Sequence, residues 1–151
     1  GKMRTSDNGI NFIKHFEGVS FKPYRDVAGL WTVGVGHLIE GGKQLPNAYN
    51  KTFTSEEVDA LLKHDLLRFE AGLSRLLCNV SLRQNEYDAL ISFSYNLGLG
   101  TLKSSTLLKK LNAGDYTGAS KEILKFHFAG SKDVPALSKR RQEEYNLFIR
   151  P

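Results

Sequence analysis

Between Gly18 and Gly42 the chain loses the three-to-four-residue apolar period that governs almost all the rest of it, and this break limits what it can fold into. Aromatic and β-branched residues there alternate with six glycines, Gly18, Gly29, Gly34, Gly36, Gly41 and Gly42, the pattern of a small sheet of tight hairpins. One such insert in an otherwise helical chain predicts an α+β fold that is mainly α. The expected arrangement is a small N-terminal sheet lobe over about residues 18–53 and a larger helical lobe over about residues 54–151, with an N-terminal helix packed on the latter and a cleft between the lobes. At 151 residues the whole fits one domain with a sizeable core.

The helical segments carry their own punctuation. Ile10, Phe12, Ile13 and Phe16 recur at helical spacing after Thr5-Ser6-Asp7-Asn8, and Gly18 stops them, so a short helix is predicted over about residues 7–17. Thr54 and Glu57 form a capping box that opens a long helix to about Leu77. Ser81 with Gln84 repeats the pattern and opens a second helix carrying Tyr87, Leu90, Ile91, Ser94 and Tyr95, which Gly98 ends. That helix is apolar nearly all round, the mark of a central one. Shorter helices are predicted over about residues 101–111, 116–128 and 136–149, separated by Gly114 and by the stretch from Gly130 to Pro135.

Twenty-one Lys and Arg against 16 Asp and Glu give a net charge of +5, which favours encounter with polyanions: nucleic acid, an anionic membrane or the bacterial wall. No apolar run approaches the roughly 20 residues that span a bilayer, and no short apolar core follows the basic N-terminus as a secretory signal requires, so no stable membrane insertion is expected. The single cysteine, Cys78, forms no intramolecular disulfide. In its apolar run of Leu76, Leu77 and Val80 it reads as a small buried hydrophobe, and the chain reads as a monomer.

Glu17 closes the first helix behind His15 and Phe16, just before a chain-turning glycine. A carboxyl close to apolar side chains is disfavoured as an anion and can stay protonated as a general acid, although an isolated glutamate is more often a solvated surface residue. Asp26 follows after eight residues and Thr32 after five more. Glycoside hydrolysis needs one protonated carboxyl and a second, ionised one, with about 6.5–9.5 Å between them when a water is to attack with inversion. Thr32 adds a hydroxyl able to hold that water. From the residues alone, turn and strand roles for Asp26 and Thr32 remain the commoner reading. The run Thr32-Val33-Gly34-Val35-Gly36-His37 is not a dinucleotide motif; its glycines suit close approach of another backbone or a bulky ligand.

In this spacing, with Gly34, Gly36 and His37 following Thr32, the sequence resembles the phage-type lysozymes, the endolysins of tailed phages and prophages. Tyr24 and Gly29 in the hairpin extend the resemblance, as do Gln84 to Leu90 with Ser92, Phe93, Asn96 and Gly98, Ser105 to Leu108 with Leu111-Asn112, and Arg140-Arg141 with Glu144 and Leu147-Phe148. The resemblance implies a lysozyme-like fold that hydrolyses the β-1,4 bond between N-acetylmuramic acid and N-acetylglucosamine in bacterial peptidoglycan, with no metal and no cofactor. It implies Glu17 as general acid, Asp26 and Thr32 as the pair that holds and activates water in an inverting mechanism, and His37 with Asp65 as a structural ion pair. Trp31, Gly34, Tyr95 and Asn96 are the candidates for substrate contact, Trp31 by stacking on a sugar or by packing against Leu30. Synthesis in the bacterial cytoplasm and action on the wall from the periplasm are expected.

Rival chemistries have specific weaknesses. His15, His37, His64 and His127 show no zinc-ligand spacing, which counts against a zinc amidase. A lytic transglycosylase needs one glutamate but no water-activating partner. A nucleic-acid module built on Lys139-Arg140-Arg141 and Lys109-Lys110 leaves the glycine-rich sheet without a role, and such basic pairs usually form solvated faces. A wall-binding relative that had lost turnover would be expected to lack one of Glu17, Asp26 and Thr32.

Overall fold

The computed structural model describes residues 2–151. Among the described residues, seven α-helices and two small antiparallel sheets make the fold mainly α, as the sequence predicts. The chain divides into two compact units: residues 10–67, and the described residues up to Gly9 together with Arg68–Pro151.

The unit of residues 10–67 holds most of α1 (Asp7–Glu17), the sheet β1 (Ser20–Arg25), β2 (Trp31–Gly34) and β3 (His37–Leu38), and the first part of α2 (Ser55–Leu76). β2 pairs antiparallel with both neighbours, setting Arg25 opposite Trp31, Tyr24 opposite Thr32 and Val33 opposite His37. Gly34 and Gly36, with φ of 69° and 70°, turn the chain between β2 and β3, a conformation that a side chain disfavours. These glycines therefore serve the hairpin itself, and the close backbone approach expected of them is not needed to explain them. A Cβ at Gly34 would also meet Val58 at 3.4 Å. Apolar side chains of α1, β2 and α2 fill the unit's interior: Ile13, Val33, Val58, Leu62 and Leu66 are buried, along with Ile39 and Phe53. Thr54 and Glu57 cap α2 reciprocally, Glu57 N–H to Thr54 Oγ1 at 3.1 Å and Thr54 N–H to Glu57 Oε1 at 3.0 Å.

The other unit is built on α3 (Gln84–Leu97), whose residues 86–94 are all buried and which packs against α7 (Pro135–Phe148). The residue before α3 is Arg83, not Ser81: Glu86 reaches back to accept the Arg83 N–H at 2.7 Å, while the Ser81 carbonyl accepts the Tyr116 hydroxyl. The helix expected over 101–111 is two, α4 (Leu99–Lys103) and α5 (Thr106–Asn112). Ser105 separates them, its backbone extended and its Oγ accepting the Leu108 N–H at 3.0 Å, so a side chain has replaced the helical carbonyl. The helix expected to reach residue 128 ends early, as α6 (Tyr116–Ile123), and a hairpin of β4 (Phe128–Ala129) and β5 (Lys132–Asp133) follows.

Two burial expectations are reversed. Cys78 is exposed, because its run is the turn after α2 and not a helix face. Arg140 and Arg141, read as part of a solvated basic face, are 5% and 0% exposed. Both pair with the fully buried Glu144, Arg141 Nε at 2.7 Å and Arg140 Nε at 3.3 Å, and Arg141 also lies over the Phe93 ring.

Candidate active site

Glu17, Asp26 and Thr32 all belong to the unit of residues 10–67. Glu17 is the last residue of α1, and the N–H of Gly18 bonds back to the Lys14 carbonyl at 2.9 Å before the chain turns with Gly18 at φ 80°. Phe16 packs against Phe12 at a tilt and against His15 edge-on, with ring centroids 5.1 and 5.0 Å away. Glu17 itself is exposed, so the apolar enclosure expected from its sequence neighbours does not surround it. Residues adjacent in a helix point about 100° apart, which is how Phe16 can pack while Glu17 faces outward.

Asp26 begins the loop between β1 and β2 and organises it. Its Oδ1 accepts the N–H groups of Ala28 and Leu30, both at 2.9 Å, in an Asx-type turn that Gly29 completes with φ 79°. Its other carboxylate oxygen accepts no hydrogen bond from the described residues. Thr32, 4% exposed on β2, donates its hydroxyl to the Leu30 carbonyl at 3.0 Å, and the Asp26 N–H donates to that same carbonyl at 2.9 Å. With its proton committed, the Thr32 oxygen has lone pairs left for a donor, and the Asp26 carboxylate has a whole oxygen left. The backbone of Leu30, which had no signal in the sequence, ties the pair together.

His37 Nδ1 lies 2.9 Å from Asp65 Oδ2, joining β3 to α2 inside this unit, and Lys14 Nζ lies 2.7 Å from Asp59, joining α1 to α2. Trp31 is half-buried, and the Arg25 guanidinium from the paired strand lies 4.9 Å from its ring centroid. Tyr95 and Asn96 belong to the other unit. The Tyr95 ring packs 5.3 Å from that of Phe69, and Asn96 Oδ1 accepts from Arg141 Nη2 at 2.8 Å, which commits that oxygen to the buried charge cluster. Among the described residues no three His, Cys, Asp or Glu stand together as a metal site would require.

The family model described as phage lysozyme matches residues 14–144. An endolysin of Bacillus phage B103 is 42% identical over 149 residues, covering 97% of this chain and 54% of its own length. An endolysin of Salmonella phage P22 is 40% identical, covering 97% of this chain and 99% of its own. The chain thus spans about half of the first relative and nearly all of the second. A crystal structure of a P22 lysozyme mutant superposes with a TM-score of 0.86 at 36% identity, covering 98% of this chain and 99% of that one.

Proposed function

Because this chain belongs to the phage lysozyme family, we propose that it is an endolysin-type muramidase, a glycoside hydrolase that cuts the β-1,4 bond between N-acetylmuramic acid and N-acetylglucosamine in bacterial peptidoglycan. The observation that carries the reading is the family match from residue 14 to residue 144, which takes in Glu17, Asp26 and Thr32. Glu17 is assigned the proton delivered to the leaving sugar oxygen. Its exposure at a helix end leaves it open to a polymeric substrate. Asp26 and Thr32 are assigned the attacking water, and a water approaching from the face opposite the acid gives inversion at the anomeric carbon. His37 and Asp65 are assigned a structural role. Asn96 is assigned second place to Tyr95 for substrate contact, because its side-chain oxygen already serves Arg141. The enzyme is proposed to act as a monomer, on the wall from its periplasmic side. No helix among the described residues is long and apolar enough to cross a membrane.

The test is incubation with purified peptidoglycan and mass analysis of the released fragments. Hydrolysis leaves a reducing muramic acid end, and NMR of fresh product reports the anomer. A 1,6-anhydro end would mark a lytic transglycosylase, and intact glycan chains with free stem peptides would mark an amidase. Glu17→Gln keeps the size and removes the transferable proton, so release should fall by about 10²–10⁴-fold.

A further inference from the structure

We propose that the face of the sheet turned away from the Thr32 hydroxyl carries a second site, a groove that takes an anionic carbohydrate of the cell wall. This proposal rests on the wall as the substrate. Successive strand residues point to opposite faces, so Trp31 and its cross-strand partner Arg25 lie on one face of the sheet, while Thr32 and its partner Tyr24 lie on the other. An open groove of about 360 Å³ is lined by Trp31 together with Lys22, Pro23, Asn50, Lys51 and Thr52 among others; β1 is irregular between Ser20 and Tyr24, so Lys22 reaches it outside the regular alternation. That volume falls in the range of small-ligand sites and suits one or two sugar rings.

The lining also has the chemistry for such a ligand. The indole is the chain's single tryptophan, a flat apolar surface against which the C–H face of a pyranose stacks, and Asn50 and Thr52 supply an amide and a hydroxyl to ring substituents. No carboxylate lines the groove. Lys51 already pairs with Glu57, but Lys22 has no ion-pair partner among the described residues, and neither has Arg25 over the indole. Two unmatched cations beside an aromatic ring favour a sugar that bears acid groups. In a cell wall these are the carboxylates of peptidoglycan stem peptides or the phosphodiesters of polyol-phosphate polymers. A site of this kind would hold the enzyme to the polymer between cuts.

Because Trp31 is the only tryptophan, its fluorescence reports on the surroundings of this one residue. Titration with soluble muropeptides bearing stem peptides, or with a polyol-phosphate wall polymer, should shift its emission saturably, and whichever of the two does so identifies the acid. The same titration of Lys22→Glu should require at least about fivefold more ligand, whereas Lys121→Glu, an equal charge change on α6, should bind as the parent does. Equal weakening by the two substitutions would reduce the effect to net charge and overturn the site. So would a response to neutral chito-oligosaccharide alone, or no response to any ligand. Loss of soluble-fragment hydrolysis in Lys22→Glu would place the groove in the hydrolytic site and likewise overturn the proposal. If the parent binds in this pattern yet cuts no glycan, the muramidase reading fails while the groove stands.

Discussion

Asp26 and Thr32 are fastened to one atom, the carbonyl oxygen of Leu30, which receives the Asp26 N–H at 2.9 Å and the Thr32 hydroxyl at 3.0 Å. The loop between them is thereby locked, and it is Asp26 Oδ1 that holds the loop's N–H groups. An asparagine retains one such oxygen but gives up the charge. Asp26→Asn should therefore keep its circular dichroism spectrum and melting point close to those of the parent while peptidoglycan hydrolysis drops by about 10²–10⁴-fold. Hydrolysis within threefold of the parent would remove Asp26 from the reaction.

The pairing of two buried arginines with one buried glutamate makes a strong stability prediction. Removing the carboxylate strips two buried guanidinium groups of the partner they share. Glu144→Ala should cost about 3–5 kcal/mol in chemical denaturation. Replacing all three with apolar residues of similar volume should cost much less, because no stranded charge remains.

Ser94 is fully buried in α3, and its hydroxyl has no hydrogen-bond partner among the described residues. Ser94→Ala removes the unmet group without opening a sizeable cavity. It should leave stability unchanged or raise it by about 1 kcal/mol, measured by urea denaturation.

Glu122 on α6 has its carboxyl held below the ordinary carboxylate range by a hydrogen bond from Lys125 and, beyond the opposing effect of burial, by a second from Lys110. A depressed folded-state pKa stabilises the protein above the carboxyl's ordinary value, and that contribution is lost as pH falls through the folded-state value. Glu122→Gln should thus lower the melting point near pH 7 by roughly 2–4 °C. The gap between variant and parent should close as the pH falls below about 4.

Most of the helical framework could be read from periodicity and punctuation. Residues 7–17 form the first helix, the Thr54 and Glu57 box starts α2, and Gly98 follows the last residue of α3. These signals are local, a side chain answering a backbone group three residues away or a glycine accepting positive φ. The readings that failed were those where a second local signal outcompeted the first or where tertiary structure decided. Glu86, not Ser81, supplied the cap for α3, and the Ser105 hydroxyl cut one expected helix into two. The short hairpin at residues 128–133 has too few residues to show a strand period. Arg140-Arg141 read as a solvated pair although Glu144 stands at helical ion-pair spacing from both; the burial of all three comes from the packing of α7 against α3. For the candidate site, it was the resemblance that singled out Glu17, Asp26 and Thr32; the residues alone favoured turn and strand roles for the latter two, and nothing in the sequence pointed to the Leu30 backbone that fixes them.

The stretch ahead of α1 is pinned far along the chain. Thr5 gives its N–H and hydroxyl to Glu70, each at 2.8 Å; Ser6 gives its N–H to Asp88, 82 positions away, at 3.1 Å; and the Tyr87 hydroxyl bonds to the Met3 carbonyl at 3.2 Å. The larger unit is therefore assembled from segments on both sides of residues 10–67, and during synthesis it cannot be completed until the segment from Arg68 onward has emerged from the ribosome. The intervening residues 10–67 form a contiguous unit available much earlier. The order of emergence thus favours the sheet-bearing segment, while the entropy of closing so long a loop falls on the step that draws Thr5 and Ser6 to their acidic partners.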